Sequence, residues 1–325
     1  MTLRTARTSP ASWHAVGRAL LADGRYRGTP VLRLEDADHD VVVWAKLEYQ
    51  LPSGSTKDRV ASAILGEAIC AGELAPGDLV VEASSGSTSI ALAMCCAQIG
   101  LPFRAVMPEG VSRERVLMIG RYGGEVELTA PFAGLRGALD RVEEIAVGDG
   151  AFAPRQFANR VNLEAHRRGT GAELVDQTGG VLDGFVAGVG TGGTLMGIAH
   201  ALRDRGSNAR VVRAVPSAGG PCGGDPEVSS AIPGVVEGFS DLYRPAEVLL
   251  DGEIVVPDAE CLTTTRRLCA QGLPVGPSSG LNYAAAVRLG RELGPGAQVG
   301  TVFCDRMERY FSTPLFADLA PEDDA

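Results

Sequence analysis

Only two lysines occur among the 325 residues, Lys46 and Lys57, and every other basic residue of the 30 Lys+Arg is an arginine. Arginine stays protonated and cannot condense with an aldehyde, so a carbonyl-fixing amine must be one of these two. Lys57 stands in the stretch Leu51-Pro-Ser-Gly-Ser-Thr-Lys57-Asp-Arg-Val. Pro52 and Gly54 mark a turn, Ser55 or Thr56 can cap a helix, and Val60, Ile64, Leu65, Ala68 and Ile69 recur at helical spacing behind them. Lys57 is therefore expected in a first helical turn, where unpaired N–H groups and the helix dipole disfavour a cation. That placing suits a Schiff-base nucleophile, although a solvated lysine in a helix cap has the same local sequence. Lys46, inside a short β-branched run, reads as the partly exposed end of a strand.

Two loops could hold anions. Gly190-Thr191-Gly192-Gly193-Thr194 falls between a strand pattern and a helix pattern, so backbone N–H groups, the helix dipole and two hydroxyls make a phosphate cradle. Gly188-x-Gly190-x-x-Gly193 also satisfies the dinucleotide fingerprint, which needs an acidic residue about 20 positions on to hold the ribose. The next strand ends Val215-Pro216-Ser217, without an acid, so the loop favours a single phosphate. Taken alone it also reads as a tight turn packing helix on sheet. Ser84-Ser85-Gly86-Ser87-Thr88-Ser89 opens a helix that is apolar on most sides, and a carboxylate is its natural guest; an ordinary serine-rich cap looks alike. One lysine, one phosphate cradle and one carboxylate loop together describe pyridoxal-phosphate chemistry on an amino acid.

These residues need a frame that brings them to one place. A chain of 325 residues suits two domains or one large α/β domain, and 45% hydrophobic residues with 42 glycines describe a globular, loop-rich protein. The formal net charge of -10, with both signs mixed along the chain, argues against a nucleic-acid partner. No apolar run approaches the ~18 residues of a membrane span. Residues 1–24 lack a signal-peptide core and cleavage site, and 321–325 read as a solvated acidic end. The seven cysteines form no C-x-x-C pair and the four histidines lie far apart, so zinc and redox-motif readings are poor. Several cysteines lie in apolar helical runs as small buried thiols, and a reducing cytoplasm fits.

Strand patterns at 29–34, 41–48, 78–83, 103–108 and 125–128 alternate with helical patterns from 57, over 90–99 and over 112–122. The stretch 148–162 is richer in loop residues and reads as a passage between domains. A second alternation runs through strands at 184–190 and 209–215, a Gly/Pro-rich loop at 216–224, a helix through 284–293 and a strand at 300–304. Such alternation implies parallel sheets covered by helices on both faces.

The motifs Lys46-Leu-Glu…Pro52-x-Gly-Ser-x-Lys57-Asp-Arg, Glu82-Ala-Ser-Ser-Gly-x-Thr88, Gln156-Phe-x-Asn159, Gly190-Thr-Gly-Gly-Thr194, Gly276-x-Ser278-Ser-Gly280 and Asp305-x-x-Glu-Arg-Tyr310 occur in this order. In order and spacing the chain resembles cysteine synthase and cystathionine β-synthase, of the β-family (fold type II) of pyridoxal-phosphate enzymes, from Thr29-Pro30 to Ser312-Thr313. The resemblance implies two α/β domains, each with a mostly parallel sheet flanked by helices, and the cofactor in the cleft between them. A smaller, mobile domain would take 48–160, with Lys57 and the carboxylate loop. A larger one would take 161–325, with 28–47 crossing over into it and the phosphate loop on board.

By the same resemblance Lys57 would hold the cofactor and move the Cα proton, and Gly190, Thr191, Gly192, Gly193 and Thr194 would bind the phosphate. Ser278 would face the pyridine nitrogen, where a neutral hydroxyl leaves the ring unprotonated. Ser84, Ser85, Gly86, Thr88, Gln156 and Gly234 would bind the substrate, Ser85, Thr88 and Gln156 through its carboxylate. Two departures stand out. Ser87 replaces the family's usual asparagine beside the cofactor's ring oxygen, and Ser89 replaces a glycine; Val236 and Glu237 replace a small glycine–alanine pair near the pocket mouth. If Glu237 faces that mouth it would repel anionic nucleophiles. The implied activity is β-replacement on an activated L-serine (O-acetylserine, O-phosphoserine or similar) through an aminoacrylate. A nucleophile co-substrate, most simply sulfide, would add to give cysteine or a related β-substituted alanine, in a cytoplasmic homodimer. β-Elimination by a lyase or cysteine desulfhydrase shares the first half of that path, and a cofactor-bound, non-catalytic regulatory subunit is the reading of another class.

Overall fold

The computed structural model describes residues 10–22, 26, 28–217, 232–236, 238–248 and 250–319; Glu237, Cys222 and the acidic end lie outside the described residues. In chain order the strands are β1 (Val31–Asp36), β2 (Val41–Leu47), β3 (Val80–Ala83), β4 (Phe103–Pro108), β5 (Glu125–Thr129), β6 (Gly184–Gly188), β7 (Arg210–Ser217), β8 (Glu253–Pro257) and β9 (Gln298–Phe303). They form two sheets in two compact units. This is the α/β architecture that strand–helix alternation demands.

One unit takes the described residues up to Tyr26 together with Lys57–Val161. Its sheet runs β3-β4-β5, all parallel, and Phe152 extends β3 through the bonds Val81 N–H to Phe152 O (2.9 Å) and Phe152 N–H to Leu79 O (2.8 Å). The helix Lys57–Ala71 buries Val60, Ala61, Ile64, Leu65, Ala68 and Ile69, the stripe expected from their spacing. It packs against the helices Pro10–Leu21 and Ser87–Ile99. Ser87–Ile99 is buried on nearly every side and ends at Gly100, which takes the left-handed conformation (φ 76°) with its N–H on Cys96 O. Helices Arg113–Arg121 and Gly134–Asp149 complete the unit.

The other unit takes the described parts of Arg27–Thr56 and Asn162–Ala325. Its six strands are ordered β1-β2-β9-β6-β7-β8, parallel except for the β1–β2 hairpin. Alternate residues serve its two faces, as the period of two requires. Val43, Ala45, Val186, Val212 and Val299 join one core, with the helix Pro277–Leu293, while Phe185, Ala187, Val211 and Val302 join another, with the helix Gly193–Asp204.

The unit boundary lies at 56/57 rather than 47/48, because 48–56 bonds into the larger unit. Buried Glu48 accepts hydrogen bonds from Thr29 (2.7 Å), Thr56 (3.2 Å) and Thr170 (3.3 Å), and Thr56 N–H reaches Cys304 O at 2.9 Å. Lys46 corrects an expectation. It is not a partly exposed strand end but is fully buried, because β2 is an interior strand. Its ammonium is matched by Glu173 Oε2 at 2.7 Å and Gln177 Oε1 at 2.8 Å, as a buried cation requires. Helices Pro10–Leu21, Gly134–Asp149 and Asp258–Ala270, the π-helical turn His166–Gly171 and strand β8 were not anticipated.

Candidate active site

In the smaller unit the helix begins at Lys57 itself, half-buried, with Asp58 behind it. The loop after β3 holds Ser84 to Thr88. Ser84 Oγ accepts the N–H groups of Gly86 (3.1 Å) and Ser89 (3.2 Å) and shares a 2.6 Å hydrogen bond with Ser89 Oγ. Ser84 thus accepts N–H groups at the helix start itself, while Ser85 and Ser87 are half-buried. Gly86 (φ 145°) has no room for a side chain, since an added Cβ would run into Cδ of buried Arg115. Thr88 donates to Gln156 Oε1 at 2.5 Å, and Gln156 Nε2 donates to Ala83 O at 2.8 Å. The backbone N–H of Gln156 donates to Glu82 Oε2 at 3.1 Å. Thr88 and Gln156, 68 residues apart, are therefore brought together on the end of β3.

In the larger unit Gly190–Thr194 joins β6 to the helix Gly193–Asp204. A Cβ at Gly190 would strike the carbonyl of Gly234, and one at Gly193 would strike Asn162 Oδ1, so both glycines are required by close approach. Asn162 Nδ2 donates to Thr191 Oγ1 at 2.9 Å, and Ser240 donates to the Thr191 carbonyl. Thr194 Oγ1 meets His166 Nε2 at 3.2 Å, and His166 Nδ1 meets Thr170 Oγ1 at 3.0 Å. This pinned loop of small residues at a helix N-terminus fits a phosphate. Ser278 is the second residue of Pro277–Leu293, after Pro277 in the first turn, and is 9% exposed. Asn282 of the same helix accepts the N–H of Gly188 at 2.8 Å and donates to Val302 O at 2.8 Å, tying that helix to β6 just before the loop.

Asn162, His166, Ser240 and Arg115 were not among the expected residues. Only Asn162 and His166 carried a signal, as polar side chains on one short stretch after Gln156.

Residues 22–305 match the family described as pyridoxal-phosphate dependent enzyme. The chain belongs to that family. A cysteine synthase of Staphylococcus aureus is 38% identical over 294 residues, covering 89% of this chain and 94% of that one. Among solved structures, O-ureido-L-serine synthase is similar at 34% identity and a TM-score of 0.83, over 94% of this chain and 96% of that one. The O-acetylserine dependent cystathionine β-synthase from Helicobacter pylori is similar at 30% identity and a TM-score of 0.83, over 97% and 100%. The fold is that of the type II pyridoxal-phosphate enzymes, and the cofactor is pyridoxal phosphate. No group of three or more His, Cys, Asp or Glu able to hold a metal occurs among the described residues, and no described helix is long and apolar enough to cross a membrane.

The pinned loop makes a quantitative expectation. Gly193→Ala should push Asn162 off Thr191 and lower stability by about 1–3 kcal/mol, the usual cost of overpacking, and a loop that holds the cofactor's phosphate would then lose about tenfold or more in affinity for pyridoxal phosphate. Titration of the apoenzyme with the cofactor and a thermal melt measure both. Gly193→Ala combined with Asn162→Ala frees the space, so the pair should bind better than the Gly193→Ala protein. If the double variant binds no better, crowding against Asn162 is not the cause.

Proposed function

We propose that this enzyme catalyses β-replacement on an activated L-serine such as O-acetylserine or O-phosphoserine, adding an external nucleophile to give cysteine or another β-substituted alanine. The observation that carries the reading is the near-complete coverage of a 38% identical cysteine synthase, with Lys57, the glycine loop and Ser278 all present. Pyridoxal phosphate, when bound, supplies the electron sink for carbanion formation at the amino acid's Cα.

The protein supplies the rest. Gly190, Thr191, Gly192, Gly193 and Thr194 would hold the phosphate through backbone N–H groups and hydroxyls. Lys57 Nζ would hold the aldehyde carbon and, as a neutral amine, could accept the Cα proton. Ser278 would be the partner of the ring nitrogen, and a neutral hydroxyl there would leave that nitrogen unprotonated. Ser85, Thr88 and Gln156 hold the substrate carboxylate; Ser84, Gly86 and Gly234 shape its surroundings, Ser84 as the cap of the loop and Gly234 as the carbonyl packed on Gly190. Ser87 would have one hydroxyl to offer the cofactor's ring oxygen. The smaller unit carries the lysine and carboxylate loop, and the larger one the phosphate loop. The same reading gives a homodimer working in the cytoplasm, and light scattering of the purified protein checks the dimer.

The deciding experiment mixes the purified holoenzyme with a panel of serine esters and nucleophiles and reads product masses. Turnover should require a nucleophile and yield a β-substituted alanine. Full turnover to pyruvate and ammonia with no nucleophile would make the enzyme a lyase, and no turnover or spectral response with any ester would make it a regulatory subunit.

A further inference from the structure

Glu82 is 1% exposed, stands two residues before the carboxylate loop, and has no task in the reaction as read above. Its Oε1 accepts the N–H of Ala83 at 2.9 Å and its Oε2 the N–H of Gln156 at 3.1 Å. Gln156 is also the residue whose side chain meets Thr88, so Glu82 and the loop share one short piece of backbone. Few charges surround it. β4 sets Ala105 opposite, and the helix Ser87–Ile99 carries no charged side chain. The helix Gly134–Asp149 brings Glu143, clamped by Arg155 through two hydrogen bonds of 2.8 Å. Burial pushes the Glu82 carboxyl up to about 7, against the lowering pull of the two N–H donors and Arg155, while Glu143 pushes it up slightly.

A substrate carboxylate in the loop is a second negative charge. Ser85 is three residues beyond Glu82, so their Cα atoms lie at most ~11 Å apart even when the chain is extended, and a carboxylate held at Ser85 is a near neighbour of Glu82. Like charges about 10 Å apart at an effective dielectric of about 20 move a pKa by about one unit. A buried carboxylate that is already reluctant to ionise is the one that yields.

We propose that docking of an amino-acid carboxylate at Ser84–Ser89 makes Glu82 take up a proton, so that substrate capture by this enzyme is proton-linked. The inference rests on the reading of Ser84–Ser89 and Gln156 as the carboxylate receptor. The new bond is the O–H of the Glu82 carboxyl; its proton comes from water or buffer and returns there when the carboxylate leaves. The sign follows directly. The free group loses its proton through pH 7 and the occupied one about a unit higher, so affinity is greatest at low pH and falls about tenfold on going above both values.

The test uses the holoenzyme with L-alanine and ethylamine, which share the amine and differ in the carboxylate. Dissociation constants are read from cofactor absorbance between about pH 6 and 9. The preference for alanine over ethylamine should fall about tenfold across that range in the wild type and stay flat in Glu82→Gln. A preference that is present but flat in the wild type, or one that falls equally in Glu82→Gln, overturns the proton link and leaves the receptor reading standing. No preference at any pH sinks the receptor reading and the link with it. Should Glu82→Gln fail to fold, infrared difference spectra of the wild type decide. Alanine, but not ethylamine, should add the C=O band of a protonated carboxylic acid, displaced in Glu82→Asp; no such band overturns the proposal.

Discussion

Replacing Lys57 with alanine removes the visible absorbance of the lysine-bound cofactor and lowers turnover by about a thousandfold or more, since a positioned proton carrier alone contributes 10²–10⁴. Lysine chemistry leaves little room for rescue. The only other lysine, Lys46, is fully buried and matched by Glu173 and Gln177, so it cannot swing out to take the aldehyde without abandoning a charge in the core. The substitution should leave the fold intact, because alanine is a better helix former than lysine and position 57 is only half-buried. Absorbance spectra, single-turnover rates and a melt check the three parts. An unchanged absorbance band in the Lys57→Ala protein would show that the cofactor is held elsewhere.

Ser278→Asp should lower β-replacement by about a hundredfold or more, since each ~1.4 kcal/mol lost in the transition state is tenfold. A carboxylate at this position would stabilise the protonated form of the ring nitrogen, the proton coming from water, and so would strengthen the sink and divert the reaction to other outcomes. A control separates this from damage to the fold. Ser278 is buried in the first turn of Pro277–Leu293, so the dipole's gain of about 0.3–1 kcal/mol offsets only part of the cost of burying a carboxylate, and the melting temperature should fall modestly. Ser278→Ala, which buries no charge, should keep the melting temperature and lose far less turnover than Ser278→Asp. Full activity in Ser278→Asp would show that the hydroxyl is not the nitrogen's partner.

All the described strands but β8 were legible, and so were the helices that follow glycine or serine loops, because Lys57, Ser84–Ser89, Gly190–Thr194 and Gly276–Gly280 announce helix starts by their turn chemistry. The helix Gly134–Asp149 was missed although Leu135, Ala138, Val142 and Ile145 mark its buried side. Strand β8 alternates buried and exposed residues over only five positions, too short to stand out. The loops of the site could be named, but what pins them could not. Asn162 on Thr191, Ser240 on the same residue and Arg115 over Gly86 are contacts between residues far apart in sequence, fixed only by packing. Lys46 shows the same limit in reverse: the pattern gave a strand, and only the neighbours of that strand decide whether its lysine meets water.

The strand order of the larger unit also sets a timetable for making the protein. The β1–β2 hairpin is finished by Leu47, yet β2 pairs with β9, Lys46 opposite Val302, and β9 also pairs with β6. At synthesis rates of about 5–20 residues per second the inner edge of β2 waits roughly ten seconds or more for its neighbour. The smaller sheet, β3 to β5, comes off the ribosome as one contiguous stretch and needs nothing later than Phe152. A nascent chain stalled before β9 would carry two half-sheets, β1-β2 and β6-β7-β8, each with an open edge able to pair with another chain. Such an edge calls for shielding until the last strand arrives, and a shortfall of chaperone should show first as aggregates that retain a folded Lys57–Val161 core.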